Sequence, residues 1–501
     1  MAPQRQLSPQ SVWDVPAVLA AFDEAGIKSL HASRMWNHLA RHPGSTWNDV
    51  SDFPACCGEA AGPVLCDVHD EGHAGEARGH GQTAQHSSDG ETTKLLIELQ
   101  DGMQIESVIM FYDSNTSGRH TGPQASPPAR HSLRRAAAPG HSPRAQTVRP
   151  HATACRLVPT QDTHSLADRF RTDPAAVAAG VVAAEEDEEA EDVFQDALEE
   201  EGPPCSSGAS ATSNSAALPT GSVVGGKSHT RATLCVSSQV GCQMGCTFCA
   251  TGTMGLKGNL TCGEIIEQLV HARQHRNIRN IVFMGMGEPL NNYDQVRAAV
   301  ATMTDSQFFR LRRKHVTVST VGIIPRIKQL AEDLPGVSLA LSLHAPTQEL
   351  RATIVPSARA YKLDKLMDAV RQYQKDSNQK VFVEYVVLAG VNDGLAQAHE
   401  LGALLQGTSM LCNLIPWNPV YSPDGPAFAA PSQQQLVEFQ KIVRYEYNVF
   451  CTVRQEKGQD ISGACGQLVV QNGGALGGKQ SCSSEAKLGD IEELLPKARL
   501  A

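Results

Sequence analysis

The chain has 501 residues, room for roughly two to four domains, but only 5% are aromatic while 42 are Gly and 28 Pro. That balance excludes a chain folded along its whole length, because part of it lacks the apolar surface to offset chain entropy. A formal net charge of −10 excludes a uniformly basic nucleic-acid binder and leaves room for a local basic face.

Residues 1–57 read as a small N-terminal helical accessory domain. Val12, Val15, Val18, Leu19 and Phe22 recur at helical spacing within Ser11–Ala25, a second helix fits Ser33–Leu39, and Trp36 and Trp47 are expected in its core. Met1–Gln10 has no apolar stretch of the kind a secretory leader carries, and no run in the chain reaches 18 apolar residues. No membrane association is expected. The 14 cysteines are then reduced thiols, metal ligands or catalysts.

Residues 58–87 are a Gly/His-rich linker, in which His69, His73, His80 and His86 lack a regular ligand spacing. Residues 88–112 form a strand pair, Thr93–Leu99 and Gln104–Tyr112, around the turn at Asp101-Gly102. Residues 113–229 are a different kind of text, rich in Ser, Pro and Ala, with Phe170 and Phe194 as their aromatics. They carry ten Lys or Arg against fifteen Asp or Glu, and the acidic block Glu185–Asp192 reads as a solvating run. A disordered insertion is expected there. Residues 471–501 are a Gly/Ser-rich tail.

Residues 230–470 alternate strand, loop and helix. Strands are expected at 232–237, 280–284, 315–320, 337–343, 381–388, 411–415 and 449–453. Helices are expected at 261–275, 293–304, 325–334, 363–375, 395–406 and 432–446, the first opened by a Thr261/Glu264 capping box and the third by Pro325. Apolar strands in consecutive βα units imply a parallel sheet covered by helices, an α/β fold curling into a partial (βα)6 barrel. Its chemistry belongs at the C-terminal ends of the strands.

One stretch organises this region. Cys242, Cys246 and Cys249 form C-x3-C-x2-C on a short loop between the first strand and the first helix. Three thiolates that close can share a soft metal or an iron–sulfur cluster. With three local ligands, a 4Fe-4S cluster keeps one iron free of protein, open to the amino and carboxylate groups of S-adenosylmethionine (SAM). The alternative is a structural zinc with a fourth ligand such as His271.

Small or polar residues stand at the later strand ends. Met284-Gly285-Met286-Gly287-Glu288-Pro289 follows the second strand, and its glycines permit close backbone approach to a ligand. Ser319, the run Ser342-Leu343-His344 and Asn418 follow at the third, fourth and sixth. Together they suit a ribose, an adenine edge or an amino group. Cys235 lies seven residues before the first loop cysteine, and Cys465 sits in Gly463-Ala464-Cys465-Gly466-Gln467. Either is a buried thiol or, for the Gly-flanked Cys465, a mobile nucleophile.

Taken together, Cys235–Cys249, Gly285–Pro289, Ser342–Pro346, Ile415–Pro419 and Gly463–Leu468 closely resemble the RlmN/Cfr-type radical SAM RNA methyltransferases, over about residues 10–57, 88–112 and 230–470. The resemblance implies a radical SAM barrel in which Cys242, Cys246 and Cys249 hold a 4Fe-4S cluster. By it Gly287, Glu288, Ser319, Ser342, Leu343, His344 and Asn418 contact SAM. It implies methylation of adenine C2 in 23S-type rRNA and in tRNA. Cys465 receives a methyl from one SAM, a 5′-deoxyadenosyl radical from a second takes hydrogen from that methyl, and the carbon radical adds to C2. Glu106 removes the C2 proton, and Cys235 attacks Cys465 sulfur, leaving a Cys235–Cys465 disulfide.

Adenine C2 is an electron-poor amidine carbon, too weak a nucleophile for direct methyl transfer, which is why such a route needs a radical and a carbon carrier. The resemblance also implies a flavodoxin- or ferredoxin-type electron donor, and a monomer in the cytoplasm, a plastid or a mitochondrion. The alternatives are Cfr-like methylation at C8 and a catalytically inactive RNA-binding homologue. Two features depart from the family: the insertion between Glu106 and Cys235, and a tail that is not basic. Phe309–His315 then remains as the basic patch for phosphates.

Overall fold

In the computed structural model the described residues are 5, 7, 10–42, 45, 49–50, 65–66, 82–113, 230–420 and 428–469. Trp47, most of the 58–87 linker, the insertion from 114 to 229 and the tail from 470 lie outside them. All that follows concerns the unit ending at Val469.

A short strand β1 (Gln10–Ser11) pairs in parallel with β2 (Leu65–Cys66). Helix α1 (Val15–Glu24) begins later than its apolar spacing suggests, because Asp14 caps it by accepting from the Ala17 N–H, with Pro16 in the first turn. Helix α2 (Ser29–Arg41) follows. Trp36 is fully buried and donates Nε1–H to the Val12 carbonyl at 2.8 Å. Its ring stands 5.2 Å from Phe308, and the Trp13 ring 5.2 Å from Phe309. The helical pair therefore shares its core with residues from beyond the insertion.

A ten-stranded sheet forms the body. Strand β3 (Gln82–His86) lies within the stretch read as linker, and β4 (Thr92–Glu98) and β5 (Gln104–Asp113) follow it. β3 is largely exposed and has no large apolar side chain, so it left no alternating pattern to read. Next come β6 (Thr230–Cys235), a two-stranded hairpin of β7 (Gln239–Cys242) and β8 (Gly255–Asn259), and β9 (Asn280–Phe283). β10 (Val316–Thr320), β11 (Ser338–Ser342), β12 (Val381–Val387), β13 (Leu411–Pro416) and β14 (Cys451–Val453) complete it.

The sheet order is β14-β13-β12-β11-β10-β9-β6-β5-β4-β3. From β6 to β14 all pairs are parallel, while β3 to β6 pair antiparallel. Between the strands lie α3 (Ala250–Thr253), α4 (Cys262–His275), α5 (Tyr293–Thr304), α6 (Ile324–Asp333), α7 (Gln348–Ile354), α8 (Leu363–Ser377), α9 (Leu395–Leu405) and α10 (Gln433–Lys441). The expected capping box is present: Thr261 Oγ1 accepts from the Glu264 N–H, and Glu264 Oε2 accepts from the Thr261 N–H. Among the described residues no helix is long and apolar enough to cross a membrane.

This α/β arrangement is the parallel sheet and helical cover expected of a partial (βα)6 radical SAM barrel. Residues at the exits of β9 to β13 line one cavity, so the sheet curls around it. The antiparallel strands extend the sheet beyond β6. Because Val108 pairs with Cys235 and Leu96 with Glu106, the Glu106 side chain shares the face of Cys235, two residues nearer the strand-exit end.

Candidate active site

The three loop cysteines line this cavity, which encloses about 920 Å³, part of it open to solvent. Cys242 ends β7, and Cys249 caps α3 in an extended conformation. The loop between them is tied down at several points. Thr247 donates both its N–H and its hydroxyl to the Ile354 carbonyl, at 3.0 and 3.2 Å. Trp417 Nε1–H reaches the Phe248 carbonyl at 3.3 Å, and Phe248 belongs to an apolar cluster with Ile354, Val355, Ile415 and Trp417.

The C-terminal segment latches onto the same loop. Ala250 N–H donates to Gly466 O at 2.8 Å, and Thr251 Oγ1 to Leu468 O at 2.6 Å. Cys465 is thereby drawn to the cavity wall, where its surface is exposed. Asn418 Nδ2 donates to the Cys465 carbonyl at 3.0 Å and Gln467 Nε2 to the Pro419 carbonyl at 2.9 Å, so the exit of β13 holds the nucleophile's loop.

Burial pushes Cys242 up to about 12 and Cys246 and Cys249 upward too, with Cys249 and Cys242 each raising Cys246 further. As free thiols all three stay protonated near neutral pH. A cationic iron centre bound there would supply the missing counter-charge and favour their loss of protons. Among the described residues no three His, Cys, Asp or Glu side chains converge closely enough to hold one metal ion. Cys242, Cys246 and Cys249 all line the cavity, three thiols that suit three corners of a cluster. His271 is buried on α4 and does not line this cavity, so it does not complete a zinc site with the loop.

The Gly-rich turn after β9 is held against the exit of β6. Met286 N–H donates to Ser237 Oγ and Glu288 N–H to Gln239 Oε1, both at 2.9 Å. Gly287 has φ +101°, and a Cβ there would stand 2.6 Å from Gln239 Cβ, so this position admits glycine alone without rearrangement. Glu288 lines the cavity yet is 2% exposed. Its oxygens accept from Leu290 N–H at 3.0 Å and Val321 N–H at 2.9 Å. Burial outweighs those bonds and lifts its pKa to about 7.

Ser319 and Ser342, from adjacent strands, both line the cavity with their hydroxyls 3.2 Å apart. His344 Nδ1 accepts from the Val386 N–H at 3.0 Å. Burial depresses its pKa to about 3, so the ring is neutral and carries its proton on Nε2. It lines the cavity as a fixed neutral donor, packed edge-on to Phe248 at 4.7 Å. Leu343 is different. It is fully buried in the wall, with its N–H on the Glu384 carbonyl and its own carbonyl accepting from Arg351. The cavity surface does not include it.

Cys235 stands behind that surface at the end of β6, opposite Val282 of β9. It is a free thiol whose pKa burial lifts to about 12, and the charge of Cys465 raises it further. Arg454 is half-buried, and its charge opposes the larger desolvation effect that raises both thiols' pKa values. Its Nη1 lies 3.9 Å from Glu384 Oε2, and Asn413 Nδ2 donates to Glu384 Oε1 at 3.0 Å.

The Glu106 carboxylate lies outside the cavity lining. It pairs with Lys94 Nζ at 3.0 Å and accepts from the Val469 N–H at 2.9 Å. Burial raises its pKa against the opposing charge of Lys94. The structure thus gathers the loop cysteines, Gly287, Glu288, Ser319, Ser342, His344, Asn418 and Cys465 at one cavity, and sets Leu343, Cys235 and Glu106 behind or beside it.

Sequence reading missed Glu384, Arg454, Arg351 and Gln239. Glu384 had a signal, a lone carboxylate in the apolar strand Val-Phe-Val-Glu-Tyr-Val-Val. The basic run also needs adjusting. Phe309 is 5% exposed and packs on Trp13, so only the cationic residues around it face outward.

A parallel βα sheet with three thiols on the first loop and a Gly-rich turn after the next strand defines a radical SAM protein. The radical SAM superfamily model matches residues 236–401. The chain is 44% identical over 245 residues to the ribosomal RNA large subunit methyltransferase N of Nitrosopumilus maritimus, spanning 48% of this chain and 68% of that one. It is 43% identical over 243 residues to the dual-specificity RNA methyltransferase RlmN 1 of Myxococcus xanthus, spanning 48% and 67%. A radical SAM methyltransferase structure from Sphaerobacter thermophilus superposes with a TM-score of 0.62 at 28% identity, covering 92% of this chain and 99% of that one. The chain belongs to the RlmN family of radical SAM RNA methyltransferases. Radical SAM proteins in general use SAM and a 4Fe-4S cluster.

Proposed function

We propose that this protein methylates C2 of adenine in 23S-type rRNA and in tRNA, with Cys465 carrying the methyl group. The observation that carries this reading is the place of Cys465, held by hydrogen bonds at the wall of the cavity that the three loop cysteines line. Cys235 ends β6, and Cys465 is tied to the three-cysteine loop through Gly466 and to the exit of β13 through Asn418, with the charge of Cys465 acting on the Cys235 thiol. A structural cysteine pair would not require a neighbouring cavity that suits SAM.

Cys242, Cys246 and Cys249 would hold the 4Fe-4S cluster, which with bound SAM supplies a 5′-deoxyadenosyl radical. Gly287, Glu288, the two serines and the His344 Nε2–H would fix SAM. Cys465 sulfur holds the methyl group from which hydrogen is taken, and the resulting carbon bonds to C2. Glu106, paired with Lys94, is the base for the C2 proton. Cys235 sulfur then attacks Cys465 sulfur: the S–S bond forms and the bond from Cys465 sulfur to the added carbon breaks. That carbon takes up a proton, the one surplus electron would pass back to the electron carrier, and methylated RNA leaves. A flavodoxin- or ferredoxin-type protein would deliver the electrons.

The test is anaerobic reconstitution with SAM, a reductant and bacterial-type rRNA or tRNA, followed by nucleoside mass spectrometry. 2-Methyladenosine is the expected product. 8-Methyladenosine would move the reading to C8 chemistry, and unmodified RNA would count against catalysis.

A further inference from the structure

We infer that Arg351 is a positioning residue for electron uptake: its buried charge, held behind the cavity wall beside Met244 of the cysteine loop, makes the centre held by that loop easier to reduce. The inference rests on reading that loop as a 4Fe-4S site.

Arg351 lies on α7 and is 1% exposed. Its Nε donates to Leu343 O at 3.0 Å, and its Nη2 to Val321 O at 2.5 Å and Ser342 O at 3.0 Å. These acceptors are main-chain carbonyls, dipoles without net charge. Among the described residues no carboxylate makes an ion pair with it. The cation therefore keeps most of its field. Burial lowers its pKa to about 10, and the guanidinium stays charged near neutral pH.

That field falls on the cysteine loop. One turn along α7, the Ile354 carbonyl takes two bonds from Thr247, the residue after Cys246, so helix and loop are joined at that point. Arg351 and Cys246 feel each other's charge in consequence. Three thiolates on a dicationic 4Fe-4S core leave it one negative charge, and one-electron reduction makes that two. A buried cation nearby favours the more negative state, because charge attraction is larger in a low-dielectric interior than in water.

The same three bonds also join the exits of β10 and β11, so lost activity would not separate charge from structure. The test uses the full chain, reconstituted anaerobically, as wild type, Arg351→Gln and Arg351→Lys. Iron and sulfide are counted first, and the midpoint potential is then read by redox titration monitored by electron paramagnetic resonance. Arg351→Gln is expected to move the midpoint to more negative potential, with Arg351→Lys staying near wild type. Unchanged midpoints, or an equal shift in both variants, would overturn the inference.

Ser357→Asp offers a second route, since Ser357 and Arg351 line the same small cavity. A carboxylate there offsets the cation while leaving the carbonyl bonds in place, and the same negative shift is expected. An unchanged midpoint in Ser357→Asp would overturn the inference even if Arg351→Gln fails to assemble its centre. A wild-type protein that binds no iron would instead sink the functional reading.

Discussion

Asn418 donates its side-chain amide to the main-chain carbonyl of Cys465 across 3.0 Å, joining the exit of β13 to the loop that carries the Cys465 thiol. Gln459 Nε2 donates to Asn418 Oδ1 at 3.1 Å, so the amide orientation is held from its far side too. This bond gives Asn418 a duty to the protein in addition to any contact with SAM. Asn418→Ala is expected to leave iron content near wild type while slowing Cys465 methylation on the order of fivefold, the effect of about 1 kcal/mol of lost positioning. Iron analysis alongside the mass of the Cys465 peptide checks both parts.

The loop cysteines give a second expectation. Burial raises the pKa values of all three, so taking up iron must expel their protons. Cluster assembly is expected to strengthen as pH rises from 6 to 8, and to be lost in Cys242→Ala, Cys246→Ala and Cys249→Ala. Iron and sulfide content after anaerobic reconstitution at each pH reads this out. A pH-independent yield would mean that the thiols are not the ligands.

Much of this was legible in the chain. The seven parallel strands and six helices stand close to their expected places, because apolar strand runs and helical spacing are local signals. The C-x3-C-x2-C spacing likewise carried its chemistry on one loop. What stayed hidden depends on chain crossings. The hairpin of β7 and β8 brackets the cysteine loop with sequences too short to show a period. The Arg351 and Arg454 guanidiniums matter only through partners on other strands, and no spacing reveals those. Leu343 was placed among SAM contacts with its neighbours, but strand alternation turns it into the wall while Ser342 and His344 reach the cavity.

Glu288 carries a pH prediction. Its folded pKa, about 7, stands above the unfolded carboxylate value near 4.5. Between those values the native state holds a proton that the unfolded state has released, so stability falls as pH rises through that window and levels off above it. Glu288→Gln, an isostere of the protonated form, removes this slope. Thermal unfolding at pH 5 should differ little between the two proteins, while at pH 8 the variant should melt higher. Parallel melting curves across that range would contradict the assignment.

Lys94 pairs with Glu106 at 3.0 Å and opposes the burial that raises its pKa. Without it only the Val469 N–H opposes burial and the Glu106 pKa climbs. Lys94→Met is expected to move the acid limb of the methylation–pH profile toward higher pH, with full activity recovered only in alkaline buffer. An unmoved limb would remove Glu106 from the role of base.

The central claim, that Cys465 bonds to the RNA and Cys235 frees it, is tested most directly by Cys235→Ala. Incubated anaerobically with SAM, reductant and RNA, this variant should accumulate a covalent protein–RNA adduct, with the cross-linked peptide containing Cys465. Free methylated RNA produced over many turnovers, with no adduct, would contradict it.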